Sequence, residues 1–156
     1  MTINELLMLT DDQIEYHGLP EDILKELALS EELFIATSAL TELSIRKSPG
    51  AAAVAWEILS KAHGDHHLQA TAIGVLFKMN RRQAMEFMRQ QAPHCEADML
   101  NTMMELITEN APEFKAEPAL SIARFVAERL QELDGVKNQL REIFPLPAGV
   151  RTGVPA

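Results

Sequence analysis

The sequence predicts an all-α protein, and three observations carry that prediction. Of the 156 residues 47% are hydrophobic but only 5% aromatic, and the composition is rich in Leu, Ala, Met and Glu, all good helix formers. Nowhere do β-branched or aromatic residues alternate with polar ones over a strand's length, the pattern a half-buried strand requires. Between closely spaced breaks, apolar residues recur at three- and four-residue intervals, which puts them on one side of a helix. A chain of this length makes about one domain with a real core.

The elements follow in order. The opening "MTINELLMLTDDQ" has no basic leader ahead of a long apolar run, so no signal peptide is expected. No uncharged apolar stretch of about 18 residues occurs, so no membrane span is expected and the cytoplasm is the expected location. In "HGLPED", Gly18 ends one short helical piece, and Pro20 with two acids opens the next. "LSEELF" offers Ser30 as an N-cap with Glu31 and Glu32 in the first turn. The helix over 31–45 carries the stripe Leu33, Ala36, Ala39, Leu40 and Leu43. "KSPGAA" breaks the chain at 48–50, ahead of a helix over 50–62. "HGDHH" breaks it again at 63–67. There His63 is expected in a last turn, Gly64 in the left-handed position after the helix, and Asp65 as the next N-cap.

The helix over 65–79 presents Leu68, Ala72, Ile73, Leu76 and Met79, and "KMNRRQA" separates it from a helix over 81–91. "QAPHCEAD" precedes a helix over 96–108 striped with Met99, Leu100, Met103, Met104 and Ile107. Core packing accounts for that stripe better than an adaptable methionine groove. "NAPEFKAEPA" at 110–118 leads into a strongly amphipathic helix over 117–133. "LDGV" at 133–136 is read as a break before a last helix over 136–143. The final "PLPAGVRTGVPA" is a Pro- and Gly-rich tail over 145–156. Residues 1–144 are expected to form one helical-repeat domain.

The helices repeat. A shift of 33 residues lays Ile35 on Leu68, Ala39 on Ala72, Leu40 on Ile73 and Leu43 on Leu76, then Ala51 on Ala84, Val54 on Phe87 and Ala55 on Met88. A further shift of 31 lays Ile73 on Met104 and Leu76 on Ile107. The unit is helix, short break, helix. With "SEELFIATSALTELSIRKSPGAAAVAWEIL", where Pro49 opens a second helix beginning "AAAVAWEIL", the pattern resembles HEAT-like α-solenoids over about 30–133. The resemblance implies antiparallel helix pairs stacked as a short right-handed superhelix. It also implies a concave binding surface on the second helices, 50–62 and 81–91, where Glu57, Lys61, Glu86, Arg89 and Gln90 are polar. Trp56, among Ala51, Ala52, Ala53 and Ala55, is assigned to the core.

Charge is the first feature that speaks to function. The net charge is −9, and it lies wholly in residues 1–45, where ten acids face one base, Lys25; the remainder is balanced at thirteen each. Such a surface disfavours nucleic acid and anionic lipid and attracts basic partners, although acids also suit helix starts. The partner-binding candidates are Asp11, Asp12, Glu15, Glu31, Glu32 and Glu42, with Glu57 and Glu86 on the second helices. A small, acidic, helical chain without catalytic motifs resembles, in general character, the immunity proteins that neutralise bacterial toxins. That resemblance implies an inhibitor docked on a basic partner such as a toxin nuclease. The alternative is an adaptor or structural subunit that docks or dimerises through apolar surfaces.

A metal-dependent hydrolase built on His63, His66 and His67 is the least favoured reading. His63 and His67 are four apart, as in His-Glu-x-x-His zinc enzymes, but Gly64 and Asp65 break the helix between them. The order at 65–66 is Asp-His rather than His-Asp, and no His precedes a Glu. The single Cys95 allows no internal disulfide or cysteine zinc cage and is read as a small buried hydrophobe. No nucleophile elbow, phosphate loop or dinucleotide fingerprint is present. No catalytic residue, metal or cofactor is assigned.

Overall fold

The computed structural model describes residues 2–143 and the side chains of 2–134, and these residues are all-α, with helices and no strand. They fall into two compact units, 1–91 and from Ala92 onward. The tail over 145–156 lies outside the described residues.

In the first unit, Thr2 caps α1 (Ile3–Leu7) by accepting from the Glu5 N–H. Two short 3-10 turns, Asp11–Gln13 and Tyr16–Gly18, lead to α2 (Glu21–Ala28). The expected N-cap at Ser30 is not there. The Ser30 N–H bonds back to the Leu27 carbonyl, so this residue belongs to the closing turn of α2. Glu32 takes the N-cap position, and α3 is Leu33–Ile45.

The exit from α3 is a Schellman turn. The Ser48 N–H reaches the Leu43 carbonyl and the Lys47 N–H reaches that of Ser44, both at 3.0 Å, with Lys47 at φ 54°. Ser48 then caps α4 (Pro49–Ser60), with Pro49 in its first turn, where a missing N–H costs nothing. The same turn closes α4. His63 N–H bonds to the Ile58 carbonyl at 2.9 Å and Ala62 N–H to that of Leu59 at 3.2 Å, with Ala62 at φ 49°. The helix-ending left-handed residue is therefore Ala62. Gly64, expected there, is a second left-handed residue at φ 75°. Asp65 caps α5 (His66–Met79) as expected, accepting from the Leu68 N–H at 3.0 Å. Asn80 is the whole link to α6 (Arg81–Gln91), and its Oδ1 accepts from the Gln83 N–H.

These helices pack on sequence neighbours and next neighbours. α3 lies against α2, α4 and α5; α4 also meets α2 and α5; α5 meets α6. All fourteen positions matched by the 33-residue shift are buried. Leu24, Leu27, Leu40, Leu43, Ile58, Leu68, Ile73 and Leu76 are fully enclosed, each contributing about 2 kcal/mol by burial.

The second unit has the turn Ala92–His94, then α7 (Ala97–Glu109), the turn Ala111–Phe114 and α8 (Ala119–Ile143). α8 packs on α7 and on both turns, burying Leu100, Met103, Ile107, Phe114, Ile122 and Val126. Of the methionine stripe, Met99 and Met104 are only half-buried. The expected break at 133–136 is absent, and 136–143 is the end of α8. One glycine inside a helix costs about 1 kcal/mol against alanine, and the helix formers around Gly135 carry it.

Candidate protein-binding surface

The acids singled out by sequence divide into two groups. Some are occupied within the fold. Asp11 accepts the Tyr16 hydroxyl, and burial first, then Asp11, holds that phenol well above the usual tyrosine range. Glu42 Oε1 binds Arg46 Nε at 3.2 Å. Arg46 Nη2 in turn donates to the Tyr16 and His17 carbonyls at 3.0 and 2.8 Å, which ties the 3-10 turn to the end of α3. Glu57 pairs with Lys61 at 2.6 Å. Glu86 pairs with Arg89 and accepts from Gln90, and the Arg89 hydrogen bond holds its carboxyl below the usual range.

The others are open. Glu15, Glu31 and Glu32 are exposed and form no ion pair among the described residues; Asp12, also exposed, accepts only the Thr10 hydroxyl. Glu31 and Glu32 stand immediately before α3, beside Phe34, which is 77% exposed. Sequence reasoning missed Phe34 and also Ile45, at 66% exposure near the other end of the helix. The signal was available, since both fall off the stripe assigned to the core.

The second helices form a groove of their own. Trp56 on α4 is half-buried rather than enclosed, and meets Phe87 of α6 edge-on at 6.3 Å. With Asn80, Arg82, Gln83, Glu86 and Gln90 it lines an open depression of about 660 Å³. In the second unit, a smaller one of about 450 Å³ follows α7 along Asn101, Met104, Glu105, Thr108 and Glu109.

The histidine cluster is dispersed. His63 is half-buried, and its Nε2 donates to the Ser30 carbonyl at 3.1 Å, 33 residues away. The carbonyl can only accept, so Nε2 carries the hydrogen. His66 and His67 are exposed in the first turn of α5. Among the described residues no three His, Cys, Asp or Glu side chains are placed to hold a metal ion. Cys95 is half-buried, and burial raises its thiol above the ordinary value, which leaves less thiolate for chemistry. No helix among the described residues is long and apolar enough to cross a membrane. Compared with known protein families, curated proteins and solved structures, the chain matches none.

Proposed function

We propose that the chain is a non-catalytic, cytoplasmic protein-binding module of HEAT-like helix pairs. It acts as an immunity-type inhibitor that docks on a basic partner, such as a toxin nuclease, and neutralises it. One observation carries this reading. Glu5, Asp12, Glu15, Asp22, Glu26, Glu31 and Glu32 are exposed, and none makes an ion pair among the described residues. Paired carboxylates would present little field, whereas an uncompensated set attracts a basic surface and speeds its arrival. Carboxylates of this kind take the place of the phosphates that a nuclease cleft is built to hold. The burial of all fourteen repeat-matched positions supports the helix-pair reading.

The test is capture from the native host's lysate at low salt, with elution by a salt gradient. A basic protein released at moderate salt, and not captured once Asp12 and Glu15 are both replaced by lysine, is the expected result. A partner indifferent to salt would sink the reading. A second reading, an adaptor that docks through apolar surface, is favoured by exposed Phe34 and Ile45.

A further inference from the structure

α4 and α6 both pack on α5, and the open groove beside them brings three kinds of contact together. Trp56 supplies the apolar one. Its indole is half-buried and held edge-on against Phe87, so a large apolar surface is kept in place and partly in water, as an anchor residue requires. Two amides supply the second. Gln83 Oε1 accepts from Asn80 Nδ2, and Gln90 Nε2 donates to Glu86. That leaves the Gln83 Nε2 donor and the Gln90 Oε1 acceptor without a partner among the described residues. One donor and one acceptor are what a peptide backbone answers. The two side chains are two turns apart on α6, roughly 10 Å along its axis, the length of about three residues of extended chain.

The third contact is a charge of the sign opposite to that of the whole chain. From His66 to Cys95 there is one acid, Glu86, against four bases, Lys78, Arg81, Arg82 and Arg89. Glu86 is met by Arg89 and Gln90. Arg82 lines the groove, is exposed, and forms no ion pair among the described residues; Lys78, four residues before it, is also exposed and forms none. Arg82 stands in the first turn of α6, where the helix dipole adds to its attraction for an anion. A small ligand is ordinarily buried over most of its surface. An open groove suits an extended chain better, since that needs cover on one side only.

We propose that this groove holds an extended acidic segment of a partner protein. One apolar side chain of the segment covers Trp56, its backbone meets Gln83 and Gln90, and a carboxylate pairs with Arg82. Charge decides the occupant: the open ion of the groove is a cation, and its acid, Glu86, is already engaged. A basic segment would meet Arg82 with nothing to offset the repulsion. This inference does not rest on the acidic-inhibitor reading, whose carboxylates lie outside the groove and call for a partner of the opposite sign. One anchor and a handful of polar contacts make a transient complex, with a dissociation constant on the order of 100 μM for a short peptide.

Trp56 is the only tryptophan in the chain, so its fluorescence reports on the groove directly. The full chain is titrated with three blocked, tryptophan-free octapeptides, each with leucines at its centre flanked by glutamate, by lysine or by serine. The glutamate peptide is expected to shift the emission to the blue and to saturate, more weakly as salt is raised; the other two leave it unchanged. Arg82→Glu abolishes that response and creates one to the lysine peptide. Gln83→Ala with Gln90→Ala weakens binding of the glutamate peptide about tenfold. Circular dichroism stays the same in both variants, because none of the three side chains belongs to the core. No response to the glutamate peptide overturns the proposal, and so does a response that survives Arg82→Glu or one shared by all three peptides. If a synthetic peptide of residues 145–156 shifts the emission and the glutamate peptide does not, the groove belongs to the chain's own Pro-rich segment. The chain with lysine at both Asp12 and Glu15 should bind the glutamate peptide at least as tightly while losing the basic partner, so either idea can fail alone.

Discussion

Two residues with a side chain do a glycine's work in this fold. Lys47 and Ala62 end α3 and α4 in left-handed backbone, at φ 54° and 49°, where the Cβ crowds the following carbonyl. Gly64 is the reverse case. Its φ is 75°, and a Cβ there would lie 2.7 Å from Leu68 Cδ2 and 3.1 Å from Leu33 Cδ2. Ala62→Gly should therefore stabilise the protein by about 1 kcal/mol, and Gly64→Ala should destabilise it by more than that. Urea unfolding of the two variants is the measurement, and a loss of stability in Ala62→Gly would refute the account. Asp65 was legible in the sequence because a cap is local: a carboxylate three residues before the N–H it accepts. The bond from His63 to the Ser30 carbonyl was not. It joins two links 33 residues apart, and nothing local in "HGDHH" distinguishes a ring that reaches another link from one left in water.

At the scale of elements, the starts of α2 and α4 are joined by one carboxylate. The Ser48 hydroxyl donates to Glu21, which also lies 3.8 Å from Lys25 Nζ. The Ser48 bond first, then Lys25, holds the Glu21 carboxyl below its ordinary value of 4.5. A folded value below the unfolded one means the stabilising contribution is present above pH 4.5 and is lost as pH falls through the folded value. Glu21→Gln should therefore lower stability at neutral pH and flatten the acid limb of a stability–pH curve, read by urea midpoints at successive pH values. Parallel curves for the two proteins would remove Glu21 from this role. Helix content was legible because the apolar spacing is an average over many residues, and the 33-residue match picked out positions that are all buried. Boundaries were less so. Ser30 looks like an N-cap, yet its N–H is already used by α2. "LDGV" looks like a break, yet α8 runs through it, because one glycine's cost is smaller than what its neighbours contribute.

Across the whole molecule, the acids of residues 1–45 have one base among them, and Lys25 is already engaged with Glu21. Charge asymmetry was legible at once from composition, but which acids are open was not. Pairing of Glu42, Glu57 and Glu86 follows from bases three or four residues on along a helix, whereas the engagement of Asp11 depends on where the Tyr16 turn folds. A surface of like charges repels itself, so a chain that keeps one gives up stability for it. Asp12 and Glu15 are exposed, and neither contributes to the core. Replacing both with lysine should raise the free energy of unfolding modestly, by about 0.5 kcal/mol at low ionic strength. The gain should fade toward 1 M salt, where the screening length is about 3 Å. The same variant should lose salt-sensitive capture of a basic partner. Opposite movement of stability and binding is what a functional charge set produces. A variant that becomes less stable at low salt would instead place these two carboxylates in the fold's own support, and the inhibitor reading would then rest on Glu5, Asp22, Glu26, Glu31 and Glu32.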